Sequence, residues 1–471
     1  MSKFRGVLKN FSFALGSNIV SFIISVLVTL LVPRYVSVEG YGYFQLYLFY
    51  TNYIGFLHFG WCDGLCLRHA GKDYEELDRS ELSGQFLLYS ILEVLIGVGV
   101  IGYSLSTTEL AEKSGVLMLI GVAICLVLPK TMMHTVLYTA NRIREYSVAN
   151  MVEKITYIVC ILLVIFTGIQ SYTALIVADL LGKLSAALYV FVICKDIIFF
   201  APCPLRKTLT EAKHNIGVGI HIMFATIASN LIVGIVRMAM SDVWSAEVFG
   251  KVSLTISVSN MLLLMVGAIS LIMFPLLKRI DNNKLSAVYA VARSCLMIPI
   301  LGMLLVYYPA KEILSVWLPQ YADSLRYMAL LFPICVFGSK MSMLVTTYMK
   351  ALRKEKWLLF VNVATVCLSG VVTYMTVYKM KNLDLAVASI VILMAFRCVL
   401  AELLISGALE VDVKKDIVLE LLLTVVFIIS AWFVGKALGF AIYAVFYVGY
   451  LYMKRKDIVS LFQMGQRLLH S

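Results

Sequence analysis

The sequence predicts an all-α polytopic membrane protein of about fourteen transmembrane helices. Three observations carry that prediction. Apolar stretches of about 20 residues recur along the whole chain, each long enough to cross roughly 30 Å of hydrocarbon as a helix. The 471 residues are 61% hydrophobic and only 14% charged, with a mean hydropathy of +0.90. Lysine and arginine gather in every second loop. Backbone groups in lipid must bond internally, so a spanning chain is either helical or a closed barrel. A barrel would show short alternating segments, and these runs are long and continuously apolar.

The first predicted span, 13–33, follows Lys3, Arg5 and Lys9 and ends on Pro33-Arg34. Its apolar run is long and lacks a small-residue cleavage site, so it reads as a retained helix rather than a signal peptide. The second, 42–62, restarts after the turn "VSVEGYG". Spans 84–105, 115–137, 149–169 and 173–195 follow, separated by the polar stretch 67–83, by the basic loop holding Arg142 and Arg144, and by the loop 170–173, which has no basic residue. The stretch 196–213 carries Ile197, Ile198, Phe199 and Phe200 beside Arg206, Lys207 and Lys213, a composition suited to an interfacial linker. Spans 214–240, 247–277, 285–308, 324–348, 356–378 and 384–407 form a second set, and 415–435 and 437–453 complete the series. The expected organisation is an N-terminal six-helix lobe (1–195), a cytoplasmic linker (196–213), a C-terminal six-helix lobe (214–407), and two additional helices with a cytoplasmic tail (408–471). The two lobes are expected to be pseudo-symmetric about a central cavity.

The formal charge of +12 follows this loop rhythm. Lys278/Arg279/Lys284, Lys350/Arg353/Lys354/Lys356, Lys414/Lys415 and Lys454/Arg455/Lys456 continue it. The asymmetry is the positive-inside signal and puts both termini in the cytoplasm, so the charge records topology and no nucleic-acid partner is expected. The ten cysteines lie mostly inside spans with no CxxC pair, which reads as small buried hydrophobes rather than metal ligands or disulfides. No Walker lysine loop, HExxH, GxSxG or metal-ligand cluster occurs, and no loop is long enough to house a catalytic domain, so no enzyme, metal or cofactor is expected.

The two six-span sets are similar in a second way. Laying Glu39 on Glu247 superposes "EGYGYFQLYLFYTN" (39–52) on "EVFGKVSLTISVSN" (247–260). Glu39/Glu247, Gly42/Gly250, Leu46/Leu254 and Asn52/Asn260 coincide, and Arg34 and Arg237 each close the preceding span. Six spans per copy is an even number, so the copies enter the membrane in the same sense and form a parallel repeat about an axis along the membrane normal. Gly40, Gly42 and Gly250 permit a tight turn, and Glu39 and Glu247 sit where an acid suits the start of the next helix.

Polar residues inside the spans are the candidate site. Gln45 and Asn52 share one helical face; Ser253, Ser257 and Asn260 share the related one. These stripes read either as the lining of a wet cleft or as interhelical hydrogen bonding. Each in-span charge costs about 2.5–3.5 kcal/mol at a helix centre and needs a reason. The in-span charges are Glu93, Lys130, Asp179, Lys183, Arg293, Lys340, Arg397 and Glu402. Asp179 and Lys183 are four apart and can pair along one helix. Lys130 and Lys340 have no acidic partner at helical spacing. With Arg34 and Arg237, they are expected to face a water-filled cavity whose positive bias suits an anionic solute.

The turn Pro33-Arg34-Tyr35-Val36-Ser37-Val38-Glu39-Gly40-Tyr41-Gly42, with the apolar span before it and "HFGWCDGLCLRHAGKDYEELD" (58–78) after it, resembles the polysaccharide-transporter family. These are Wzx-type oligosaccharide-lipid flippases of the multidrug/oligosaccharidyl-lipid/polysaccharide export superfamily. Glu247-Val248-Phe249-Gly250-Lys251 is similar to the weaker copy of that turn, with lysine where an aromatic would continue. The resemblance implies alternating-access translocation of an undecaprenyl-pyrophosphate-linked oligosaccharide across a bacterial plasma membrane, for capsule or other surface polysaccharide. It implies a monomer among membrane lipids, working beside glycosyltransferases or a polymerase of the same pathway. Coupling would be to Na⁺ or H⁺, with Glu93, Asp179 and Glu402 as candidates. A lipid II flippase or a drug/cation antiporter of the same superfamily is the nearest alternative. A polysaccharide polymerase or ligase is the alternative from another class.

Overall fold

In the computed structural model, residues 2–107, 111–277, 285–434, 436–455 and 457 are described, and every regular element among them is a helix. The basic residues Lys278, Arg279, Lys284 and Lys456 lie outside that set. Eleven helices among the described residues are long and apolar enough to cross a membrane. The protein is a multi-pass, all-helical membrane protein. Ala437–Met453 is a shorter apolar helix.

The chain divides into two compact units. The N-terminal unit comprises residues 1–227 with Ala246–Gly250. It contains α1 (Ser2–Tyr35), α2 (Val38–Ile54), α3 (Trp61–His69), α4 (Arg79–Ser106), α5 (Ala111–Thr139), α6 (Ile143–Phe166), α7 (Tyr172–Ile193) and the short α8 (Lys195–Ile198). The next two helices, α9 (Leu205–Val243) and α10 (Ala246–Leu277), contribute to both units. The C-terminal unit holds α11 (Leu285–Met303), α12 (Tyr307–Trp317), α13 (Ser324–Ala351), α14 (Glu355–Lys379), α15 (Leu383–Ala408), α16 (Lys414–Val434) and α17 (Lys436–Met453). The last two helices thus belong to the same compact unit as α11–α15.

Within the N-terminal unit α4 packs along α5, α6 along α7, and α1 along α6. The outer faces are apolar. On α4, Leu87, Leu95, Val98 and Leu105 are all exposed, the reverse of a soluble helix and the pattern of one that faces lipid. In the C-terminal unit α13 is the most enclosed of the spans.

The turn at 33–42 folds as two helices meeting almost without a loop. Ser37 caps α2, accepting a 3.1 Å hydrogen bond from the Gly40 amide, while Glu39 sits in the first turn, where its charge complements the helix dipole. The cap is therefore Ser37, and the acid stands two residues on. Gly42 is buried, and a side chain there would strike the backbone carbonyl of Ala246. A Cβ on Gly250 would lie 2.7 Å from the Cα of Gly42. The two glycines that the sequence alignment pairs thus touch each other inside the N-terminal unit.

The apolar run 42–62 does not continue as one helix. It ends at Ile54, passes through a 3₁₀ turn, and reverses at Phe59 and Gly60, whose φ values are 49° and 79°. The short α3 then docks on α9 through glycine. Gly64 faces the Asn215 carbonyl, and Gly219 faces the Gly60 carbonyl, with no room for a side chain at either. The stretch 196–213 has a buried Ile197, exposed Phe199 and Phe200, and then the first turns of α9.

Candidate functional site

Each unit pairs most of its in-span charges internally. In the N-terminal unit, Tyr47 on α2 donates a 2.7 Å hydrogen bond to Asp179 on α7, and Lys183 ion-pairs with the same carboxylate. The Lys183 ammonium also lies 5.3 Å from the centre of the Tyr47 ring. Gln45 donates to the Tyr41 hydroxyl at 2.6 Å, one turn back on the same helix. Asn52 is exposed on α2, and Arg34 is exposed at the end of α1. Lys130 on α5 pairs with Glu153 on α6 at 2.5 Å, each of the two being only slightly exposed.

That partner was readable in principle. Lys130 stands ten residues before Ala140 and Glu153 eleven after Arg142, so an antiparallel hairpin turning at 140–142 brings them to one level. The pair lies across the hairpin, not at helical spacing along one helix.

In the C-terminal unit the charges condense into one cluster. Lys340, on a wide π turn within α13, pairs with Glu402 on α15 and, at 2.6 Å, with Glu420 on α16. Arg293 on α11 reaches Glu402 at 2.8 Å, Glu420 at 2.8 Å and Asp416 at 3.1 Å. Lys454 closes the outer side, 2.8 Å from both Asp416 and Asp457. Arg293, Lys340, Glu402 and Glu420 are each at most 3% exposed. Three cations thus face four carboxylates, so Lys340 brings no surplus positive charge. A cavity of about 320 Å³ opens beside the cluster, lined by Arg293, Ser294, Asp412, Asp416, Lys454 and Asp457.

Glu420, Asp416 and Glu153 are the residues sequence reasoning missed. The signal was again a hairpin. Glu402 stands six residues before Ala408 and Glu420 six after Lys414, on either side of one short loop.

Two further groups hold the remaining sequence candidates. Arg237 on α9 donates to Ser253 on α10 at 2.9 Å. Ser253 is buried, and Asn260, two turns on, is half-buried. Arg397 on α15 donates to Asn362 on α14 at 2.9 Å and to Ser229 on α9 at 2.8 Å, joining three helices through neutral partners. Glu93 stands apart from all of these. It is wholly buried on α4, and neither carboxylate oxygen has a hydrogen-bond partner. Among the described residues no group of His, Cys, Asp and Glu is arranged to hold a metal ion.

No family model matches the sequence, and no curated protein matches it. Solved structures do. An inward closed form of the lipid II flippase MurJ superposes with a TM-score of 0.65 at 13% identity, covering 95% of this chain and 99% of that one. An inward-facing multidrug resistance MATE transporter of the MOP superfamily superposes with a TM-score of 0.63 at 14% identity, covering 83% of this chain and 98% of that one. A MOP superfamily transporter from Pyrococcus furiosus, described as having a binding pocket of reverse polarity, gives 0.50 at 13% identity over 85% and 96%. The chain has the fold of these transporters.

Proposed function

We propose that this protein is a flippase that moves a prenyl-pyrophosphate-linked oligosaccharide across a membrane by alternating access. The observation that carries the reading is one of extent. The lipid flippase fold accounts for 95% of this chain, whereas the multidrug transporter fold accounts for 83% and is itself used up. The last two helices, α16 and α17, are tied into the C-terminal unit by Glu420, Asp416 and Lys454.

The chemistry favours the same cargo. A sugar head group cannot cross hydrocarbon unaided, so such a flippase gives it a hydrated path while the prenyl tail stays in lipid. Arg34 and Arg237 are our first choice for meeting the pyrophosphate, since an arginine fork suits phosphate oxygens. Lys130 and Lys340, each held by carboxylates, serve the cycle by fixing helices or by exchanging partners as the lobes move. Asn52, exposed on α2, and Asn260, half-buried on α10, are our candidates for meeting glycan hydroxyls, whereas Gln45 and Ser253 are buried and hydrogen-bonded within their own units. The basic helix ends carrying Arg142, Arg144, Arg206, Lys207, Lys414 and Lys415 face the cytoplasm of a bacterial cell.

The test is leaflet exchange of fluorescent prenyl-pyrophosphate glycans, lipid II included, in vesicles holding the purified protein. Exchange at least tenfold faster than in protein-free vesicles is expected for one of the glycans. No acceleration for any of them, with and without imposed Na⁺ or pH gradients, refutes the reading. With that cargo, Arg34→Ala and Arg237→Ala should each slow exchange at least tenfold while the protein still inserts and elutes as a single species.

A further inference from the structure

The cavity of about 320 Å³ beside the C-terminal cluster is lined by charges of both signs that do not use one another up. It lies where α11, the loop between α15 and α16, and the end of α17 meet. Asp412, exposed in that loop, and Ala290, exposed on α11, stand at its mouth. Arg293 is its most enclosed charged residue, eight residues into α11 and about 12 Å from the start of that helix.

Donors on this wall are left over. Arg293 directs Nε to Glu402 at 2.8 Å, and Nη1 to Asp416 at 3.1 Å and Glu420 at 2.8 Å. Its Nη2 has no hydrogen-bond partner, although the residue is only 2% exposed. Lys454 directs two of its three ammonium protons to Asp416 and Asp457, both at 2.8 Å. A buried guanidinium nitrogen without an acceptor is costly, so this wall calls for an oxygen.

The charge balance calls for a cation as well. With Asp412 added, Glu402, Glu420, Asp416, Asp457 and Asp412 stand against Arg293, Lys340 and Lys454. Among the described residues Asp412 accepts one hydrogen bond, 3.1 Å from the Lys414 amide. A plain anion would enter a site already short of positive charge. A ligand with both an acceptor oxygen and a cationic donor meets both demands, with its oxygen on Arg293 and Lys454 and its ammonium on Asp412. The site sits at the basic end of the unit, beside the exposed Lys414, Lys415 and Arg455. The Arg455 guanidinium lies 4.5 Å from the centre of the Tyr452 ring, a pairing suited to headgroup depth. Val448, Tyr452 and Met453, exposed on α17, carry the lipid-facing surface up to it. The volume equals that of about ten waters, room for the phosphate and ethanolamine of one headgroup.

We infer that this cavity binds the headgroup of a phospholipid bearing a primary ammonium, of the phosphatidylethanolamine type, from the leaflet at the basic end of the helices. The phosphate oxygens accept from Arg293 Nη2 and from Lys454, and the ammonium donates to Asp412. No covalent bond is made or broken. The bound lipid joins α11, the α15–α16 loop and α17 where the buried cluster opens outward, and so it steadies the C-terminal unit. The site stands whether or not the protein moves a glycan.

The experiment is native mass spectrometry of the full-length protein, delipidated in detergent and offered phosphatidylethanolamine, phosphatidylcholine and phosphatidylglycerol of matched chains. The thermal unfolding midpoint is read beside it. One phosphatidylethanolamine is expected to be retained at least fivefold over each of the others and to raise the midpoint. Phosphatidylcholine keeps the phosphate but has no N–H to give a carboxylate, and phosphatidylglycerol has no cation. Asp412→Asn, whose amide oxygen can still accept from the Lys414 amide, should cut the preference over phosphatidylcholine to under twofold. Ala290→Phe, which fills the mouth and alters no charge, should abolish the preference; if it does not fold, Asp412→Asn decides alone. Equal retention of the three lipids, retention of none, a preference for phosphatidylglycerol, or a preference unchanged in either folded variant overturns the proposal. A midpoint raised as far by soluble O-phosphoethanolamine keeps the headgroup chemistry and overturns the lipid as its source.

Discussion

Single residues here are decided by what stands opposite them. Lys340 and Lys130 look alike in sequence, each an isolated lysine inside an apolar span. Lys340 is 3% exposed and shared by Glu402 and Glu420, whereas Lys130 has one carboxylate at a less enclosed site. Removing one member of a buried ion cluster strands the others, at a cost of about 3–5 kcal/mol. Lys340→Met should therefore sharply lower the thermal unfolding midpoint in detergent. Lys340→Met with Glu420→Gln should recover most of the loss, because the uncompensated charge is then gone. A double variant no more stable than the single one would show that Lys340 acts through something other than this pairing. Arg397 is the reverse case, a cation satisfied by an amide and a hydroxyl. Its charge was legible in the sequence, but its neutral partners on two other helices were not.

At the scale of elements, glycine and capping residues set where helices begin and how closely they pass. Asp78 caps α4 by accepting from the Glu81 amide at 3.1 Å. That bond, reinforced by Lys207, holds its carboxyl below the usual carboxylate range. A carboxyl depressed in the folded state contributes stability above its unfolded value near 3.9, and the contribution is lost as pH falls below that. Asp78→Ala should cost about 1 kcal/mol at neutral pH and progressively less in acid, read as the difference in unfolding midpoint between the two proteins. Gly42 sets the approach of α2 to the start of α10, and a methyl group there meets the Ala246 carbonyl. Gly42→Ala should cost about 1–3 kcal/mol through backbone displacement, while alanine at Gly99, which faces open space, should be near neutral by the same measurement. The two turn motifs were visible as an alignment; that their glycines touch was not, since a sequence shift carries no information about distance.

At the scale of the molecule, the last two helices form part of the C-terminal unit. Glu420 and Asp416 on α16 are partners of Arg293 on α11, and Glu420 of Lys340 on α13. A chain ending after Ala408 would leave Arg293 and Lys340 with Glu402 as their one carboxylate from the cluster. It should aggregate or be degraded rather than persist without α16 and α17, as read by size-exclusion of a fluorescent fusion. A monodisperse truncated protein would show that α16 and α17 are accessory. The sequence by itself determined the all-helical membrane class, most of the span positions and the sharp turn at 33–42. These rest on hydrophobic length, loop charge and local backbone chemistry, all of which act over a few neighbouring residues. Tertiary structure alone decided which in-span charges are paired, that Lys340 joins a cluster with no surplus positive charge, that the run 42–62 breaks into two helices, and that the Glu93 carboxylate has no hydrogen-bond partner. Those outcomes depend on which helix faces lie together, and side chains far apart in the chain meet only after the helices have packed.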